Sequence, residues 1–407
     1  MGCASSNPAL RDHPGRAPPA DSRIPNPAPA APPKTVPSYR RFSDASDSNT
    51  MTHSQEVRAR RLSHTMFDEE LRESKEVETI AVKLPAPIEL TPEVFEVMTS
   101  KNPRKRRASY LLVDTDPRLF IAEVAHASLA GLDDGHTKKN QDRFLVHMDE
   151  TCCLFAVADG HGLAGHAVAA HIQTSMPTHF LNNLLSKSTE EASVDAIRDA
   201  ENGVLKSGID CSLSGSTVSV ALVNEHRLFL TWVGDSLCFL LSRDRQGALG
   251  ARLLNQPHNF EAERERTRVE AAGGRILRFE DPDDNFLGPY RVFLPDQPLP
   301  GLSMSRSVGD VVAKRAGVIC EPEVAMTTLS EGDQYLVLCS DGVTEFMTKD
   351  EIAATVHTST ASLSEVCEQI VREARRRWVE AENNSSDDIT IVVVRFRPKK
   401  KTDERQD

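Results

Sequence analysis

Between about residue 111 and residue 398 the chain alternates short apolar runs with amphipathic stretches. Residues 154–158, 217–223, 228–233, 237–241, 335–339 and 389–394 are each about five to seven long, rich in branched or aromatic side chains, and bounded by Gly, Asp or Asn, which is the pattern of strands. The runs 228–233 and 237–241, joined by Gly234-Asp235-Ser236, predict a hairpin. A helix follows Gly162, where Val168 and Ile172 stand four apart, and Pro177 is expected to end or kink it. Thr348 with Glu351 and Ser362 with Glu365 are capping-box pairs that start two more helices. The second has a core stripe of Val366, Ile370, Ala374 and Trp378, with Arg372, Arg375 and Arg376 expected to face solvent. Grouped rather than strictly alternating elements favour antiparallel sheets with helices packed outside, an α+β layered domain.

The first 110 residues have a different texture. Ten of the 24 prolines precede Ser38, and the Pro/Ala-rich stretch 8–37 has too few aliphatics to offset the entropy of ordering. A Ser/Asp/Arg-rich segment runs on to Ser63, residues 67–82 are expected to be transiently helical, and Arg104-Lys105-Arg106-Arg107 closes what reads as a disordered tail. Residues 111–398 then form one large domain, and residues 399–407 a charged C-terminal tail. A net charge of −12 argues against nucleic acid as the main partner. No apolar run approaches the length of a membrane span, and no apolar segment marks a secretory signal at the start. The eight cysteines form no ordered framework. Together these features suggest a protein of a reducing compartment.

The chemistry lies at the strand ends. The run 154–158 leads into Asp159-Gly160-His161-Gly162, the run to Val233 into Gly234-Asp235, and the run 335–339 into Ser340-Asp341-Gly342; Asp387-Asp388 precede the last strand. One aspartate at a strand end is a turn former. Four such sites on a layered fold bring carboxylates to one rim, where they repel unless a cation sits between them. An all-oxygen set selects hard ions, Mg²⁺ or Mn²⁺, and two such ions can activate a water and clamp a phosphoryl group. His161, embedded in this set, is the candidate general acid.

These residues resemble the metal-dependent type 2C Ser/Thr protein phosphatases. The resemblance rests on an ordered series: Lys139-Asn140-Gln141-Asp142-Arg143, Val157 to Gly162, Ser214 to Thr217, Gly234-Asp235-Ser236, Ala271 to Gly274, Gly301 to Asp310, Glu321-Pro322-Glu323, Cys339 to Val343 and Asp387 to Thr390. It implies an α-β-β-α sandwich of two antiparallel sheets flanked by helices. It implies two ions, Mg²⁺ or Mn²⁺, bridged by Asp159, with the Gly160 carbonyl, Asp341 and Asp387 completing the site and Asp142 holding metal-bound water. A third, weaker ion would use Asp235 with Asp341. Hydroxide held between the ions would attack phosphorus while His161 protonates the leaving Ser or Thr oxygen. Thr217 and Ser214 fall to turn and supporting roles. Two departures stand out: Gln141 replaces a Glu found in many members, and an upstream arginine that meets phosphate in some members is missing, with Lys139 a candidate substitute. Residues 280–300 lie where the family carries a variable flap. Within the same fold the rival reading is a pseudophosphatase that binds phosphoproteins without turnover; an acidic ion-binding scaffold is a second.

The tail adds an address. Met1-Gly2-Cys3-Ala4-Ser5-Ser6 fits a myristoylation signal at Gly2, with Cys3 positioned for palmitoylation, so peripheral membrane attachment from the cytoplasm is expected rather than nuclear residence. Three Arg-Arg-x-Ser segments make Ser43, Ser63 and Ser109 candidate targets of basophilic kinases. Expected partners are phosphoprotein substrates, the membrane surface and such kinases, and no nucleic acid.

Overall fold

The computed structural model describes residues 78–79, 120–149, 152–224, 226–244, 246–280 and 286–397. Gly2, Cys3, Ser43, Ser63, Ser109 and the C-terminal tail lie outside them. In chain order the main strands are β1 (Ile121–Leu129), β2 (Arg143–Met148), β3 (Cys153–Ala158), β4 (Val218–Asn224), β5 (Arg227–Val233), β6 (Leu237–Arg243), β7 (Leu249–Leu253), β8 (Arg275–Glu280), β9 (Phe286–Phe293), β10 (Pro300–Leu302), β11 (Glu323–Thr328), β12 (Asp333–Cys339) and β13 (Ile389–Phe396). The helices are α1 (Gly165–Leu184), α2 (Thr189–Lys206), α3 (Glu263–Ala271), α4 (Val311–Lys314), α5 (Asp341–Thr344), α6 (Lys349–Thr358) and α7 (Leu363–Ala381).

Two antiparallel sheets carry the fold. One runs in the order β1-β13-β12-β6-β7, the other β11-β5-β4-β3-β2. Both faces of their central strands are apolar because each sheet is covered twice. On β13, Ile389, Ile391 and Val393 pack toward α6 and α7, while Val392, Val394 and Phe396 meet the second sheet. On β3, Phe155 and Val157 face the first sheet, and Leu154, Ala156 and Ala158 pack with Val168, Ile172 and Ala196 of α1 and α2. Each such Val, Ile, Leu or Phe side chain contributes about 1.5–3 kcal/mol by leaving water. The result is the α-β-β-α order. A smaller unit, α3 with the sheet β8-β9-β10, has its own core of Phe260, Val269, Val292 and Leu302.

Both capping boxes form as expected, at Thr348–Glu351 and Ser362–Glu365. Four details refine or depart from expectation. The segment Gly234-Asp235-Ser236 is not a hairpin turn: β5 pairs with β4 and β11, whereas β6 pairs with β12 and β7, so the chain crosses from one sheet to the other. The Ser236 carbonyl, accepting from Ser219 Oγ and Asn255 Nδ2 at 2.9 Å each, fixes that crossing. Pro177 does not end α1, which runs on to Leu184 because Ile172, Met176 and Phe180 hold it on the core from both sides of the proline. Arg375 turns inward and donates to the Ala130 carbonyl, although Arg372 and Arg376 face solvent. Glu78 and Thr79, within the expected tail, pair antiparallel with Ser128 and Ala127 of β1. An open sheet edge accepts backbone whatever its side-chain pattern.

Candidate metal centre

The acidic residues named from the sequence come together where the two sheets end. Asp159 follows β3 directly. Its backbone is clamped by Thr217, whose Oγ1 accepts from the Asp159 amide at 3.0 Å and whose own amide donates to the Asp159 carbonyl at 2.8 Å. Thr217 Oγ1 also lies 2.7 Å from Ser236 Oγ, so one buried hydroxyl ties the Asp159 turn to the Asp235 crossing. Asp341 opens α5 after β12, Asp387 stands two residues before β13, and Asp142 immediately precedes β2. Glycine is required beside two of them. A Cβ on Gly160 would lie 2.4 Å from the Gly165 carbonyl oxygen, and one on Gly342 would lie 1.9 Å from that of Asp388. At Gly342 the glycine serves this packing, and its carbonyl accepts from Trp378 Nε1 at 2.7 Å.

The charges are poorly satisfied by protein alone. Asp142 is buried with Oδ2 accepting from Ser340 Oγ at 2.8 Å, and its Oδ1 has no hydrogen-bond partner among the described residues. The same holds for Asp235 Oδ1 and Asp341 Oδ1. Burial, followed by repulsion from Asp142, Asp341, Asp387 and Asp235, pushes the Asp159 carboxyl well above its ordinary range. Burial and the neighbouring Asp235 and Asp387 do the same to Asp341. Asp142 is pushed up to about 7, by burial and then by Asp388. Asp235 is pushed up to about 6, chiefly by burial. Buried and half-buried carboxylates with raised pKa values, with orphaned oxygens and no thiolate among them, are a donor set suited to hard divalent cations. Asp159, Gly160, Asp235, Asp341, Asp387 and Asp142 therefore fit the ions that the sequence implied.

His161 lies on the short strand Gly160–His161, paired with Gly215–Ser216, which in turn pairs with Val308–Gly309. That ladder brings Asp310 to the histidine: His161 Nε2 is 2.7 Å from Asp310 Oδ2, which also accepts from Ser307 Oγ at 2.6 Å. Gly215 must be glycine, since a Cβ there would lie 2.0 Å from Asp310 Oδ2. Burial would lower the His161 pKa, but the Asp310 carboxylate outweighs it and leaves the pKa raised. Asp310 has positive φ of 51°, and its amide donates to the Ser214 carbonyl at 2.9 Å. In the sequence Asp310 only closes the motif that begins at Gly301. Its signal, an acid closing a Ser-Val-Gly run, was indistinguishable from a turn.

The residues around the missing arginine also change roles. Lys139 is exposed, whereas Lys138 extends its Nζ to 2.7 Å from Asp387 Oδ1. Gln141 donates its side-chain amide to the Gly162 carbonyl at 2.7 Å, bracing the turn that carries His161. Asp388, not singled out from the sequence, accepts from the amides of Gly131 and Gln141 and fastens both ends of the 131–141 loop to the start of β13. Away from this rim, the donor atoms of His147, Asp149 and Cys152 at the β2–β3 turn lie within 4.8 Å of one another. Asp149 there accepts from the Cys152 amide at 3.0 Å and pairs with His147 at 2.9 Å, which is the bonding of a capped turn.

Comparison with known proteins agrees with this geometry. The family profile described as protein phosphatase 2C matches residues 125–383. Similar curated proteins include "Probable protein phosphatase 2C 52" of Arabidopsis thaliana, 28% identical over 318 residues and covering 68% of this chain and 67% of that protein. "Probable protein phosphatase 2C 35" of the same plant is 30% identical over 283 residues, covering 65% of this chain and 80% of that protein. Among solved structures, a serine-threonine phosphatase 2C from Toxoplasma gondii shares the fold with a TM-score of 0.55 at 19% identity, over 68% of this chain and 95% of that one. A sex-determining protein of C. elegans gives 0.56 at 22% identity, over 69% of this chain and 65% of that one. Profile, relatives and fold agree with the residues at the rim: the chain belongs to the protein phosphatase 2C family of serine/threonine phosphatases.

Proposed function

We propose that this chain hydrolyses phosphoserine and phosphothreonine in proteins, with Mg²⁺ or Mn²⁺ held by Asp159, the Gly160 carbonyl, Asp341 and Asp387, and a third, weaker ion by Asp235 with Asp341. The observation that carries this reading is the set of orphaned carboxylate oxygens on Asp142, Asp235 and Asp341 around an Asp159 whose charge its neighbours oppose. Bound there, the ions supply Lewis acidity and an activated water. The protein's own part is positional. Thr217 and Ser236 hold the Asp159 and Asp235 turns in fixed relation. Asp310 engages His161 at Nε2, which orients the ring and favours its protonated form; Nδ1 is then the nitrogen available to give a proton to the departing serine or threonine oxygen. The small unit of α3 and β8–β10 carries the flap segment and is assigned substrate choice. The test is turnover of phosphoserine and phosphothreonine peptides by the purified chain. Mn²⁺-dependent activity that falls at least ~1000-fold in Asp159→Asn supports the reading; a fully folded, Mn²⁺-loaded protein without turnover would make it a phosphoprotein-binding pseudophosphatase.

We also propose acyl anchoring through Gly2 and Cys3 and kinase control through Ser43, Ser63 and Ser109, supported by the sequence motifs alone. No described helix is long and apolar enough to cross a membrane. A Gly2→Ala protein that fractionates with membranes as the parent does would overturn the anchor.

A further inference from the structure

The loop from Ala130 to Gln141 is built around one buried cation. Its first carbonyl, on Ala130, accepts from Arg375 of α7. Asp388 then accepts the amides of Gly131 and Gln141, and the Lys138 amide donates to the Gly131 carbonyl at 2.9 Å. A Cβ at position 131 would lie 2.0 Å from Lys138 Cε, so glycine there opens the niche that the lysine stem fills. The ammonium ends 2.7 Å from Asp387 Oδ1 and 4.0 Å from Asp388 Oδ2, with only 20% of the side chain exposed. Asp387 Oδ1 also accepts the Asp388 amide at 2.7 Å. The oxygen is thus already engaged twice within the protein.

From this arrangement we infer that Lys138 is a resident counter-ion of the acidic rim, competing with the divalent ion at Asp387 and setting the Mg²⁺ or Mn²⁺ concentration at which that position fills. The inference rests on the metal-binding reading given above. A fixed ammonium beside a carboxylate cancels one negative charge where the dielectric is low, so it weakens the pull on an incoming dication and stabilises the metal-free fold by the same interaction. The opposite case, a lysine that aids loading by ordering Asp387, predicts the reverse change in affinity.

The experiment is calorimetric titration of the full, metal-stripped chain with Mn²⁺, with thermal unfolding in EDTA alongside. Lys138→Met keeps most of the stem and removes the charge. It is expected to bind Mn²⁺ about tenfold more tightly at one position and to unfold several degrees lower without metal. Lys138→Gln serves the same purpose should the methionine variant fold poorly. Unchanged or weaker Mn²⁺ affinity in folded Lys138→Met and Lys138→Gln proteins would overturn the inference. Wild-type Mn²⁺ binding retained by Asp159→Asn would instead overturn the metal-site reading beneath it.

Discussion

Two clusters of buried charge lie in this protein, and they are built in opposite ways. At the rim, burial and then neighbouring carboxylates push the pKa values of Asp142, Asp159, Asp235 and Asp341 up, and Asp142, Asp235 and Asp341 each keep an oxygen without a hydrogen-bond partner among the described residues. In the small unit, Glu265 of α3 is more deeply buried, only 1% exposed, but fully answered. It accepts from Arg306 at 2.5 and 3.0 Å, from Arg268 at 2.6 Å and from Ser305 Oγ at 2.6 Å. Arg306 reaches on to Glu323 at 2.9 Å, which also meets Arg264 at 2.6 Å. Although burial opposes it, this bonding holds the Glu265 carboxyl down at about 2. Burial alone therefore does not mark a functional charge. What separates the two is satisfaction: a network closed on itself fixes α3 against β11, and an open one waits for a ligand.

Neutralising one member of each cluster should give opposite signs. Asp159→Asn relieves repulsion, so along with lost turnover the metal-free protein should gain about 1–2 kcal/mol of stability by urea unfolding. Glu265→Gln leaves Arg306 with Glu323 as its remaining carboxylate partner and should lose about 3–5 kcal/mol in the same measurement. Equal losses in both variants would erase the distinction drawn here.

Acid supplies the next test. His258 is fully buried between the clusters, with Nδ1 accepting from the Gly234 amide at 3.1 Å, and burial lowers its pKa to about 4. Its neutral form is the folded form. Its contribution is therefore whole above the unfolded value near 6.5 and is lost as pH falls from there toward 4, amounting to about 3 kcal/mol. Glu265 is depressed as well, so its contribution fades only below about 4.5, toward 2. Stability followed against pH should show the first loss in the parent and a flatter slope between 6.5 and 4 in His258→Gln. The smallest effect is expected at the surface pair Arg198–Glu321, 2.6 Å apart but about half exposed on both sides. Arg198→Ala should cost under ~1 kcal/mol, showing that short distance without burial decides little.

Much of this was legible in the amino-acid order. Apolar runs located β3, β4, β5, β6, β12 and β13 to within a few residues, because strands buried on both faces must be apolar throughout. Capping boxes at Thr348 and Ser362 located α6 and α7, because the reciprocal bonds are local. Strand-end aspartates named the acidic rim, because a carboxylate after an apolar strand has few places to go. Missing from that reading were β1, β2 and β7 to β11, among them β2, half-buried along its whole length, and the pairing choice at Gly234, which two sheets competed for.

Sequence alone thus determined which segments are strands or helices and which acids stand at their ends, since those follow from spacing and side-chain chemistry within a few residues. Only the tertiary structure decided partnership over long separations. It turned a presumed hairpin into a crossing between sheets, and set Asp310 on His161 across 149 positions and Lys138 on Asp387 across 249. Such contacts are fixed by how whole layers stack, and no local pattern encodes which distant loop a layer will bring alongside.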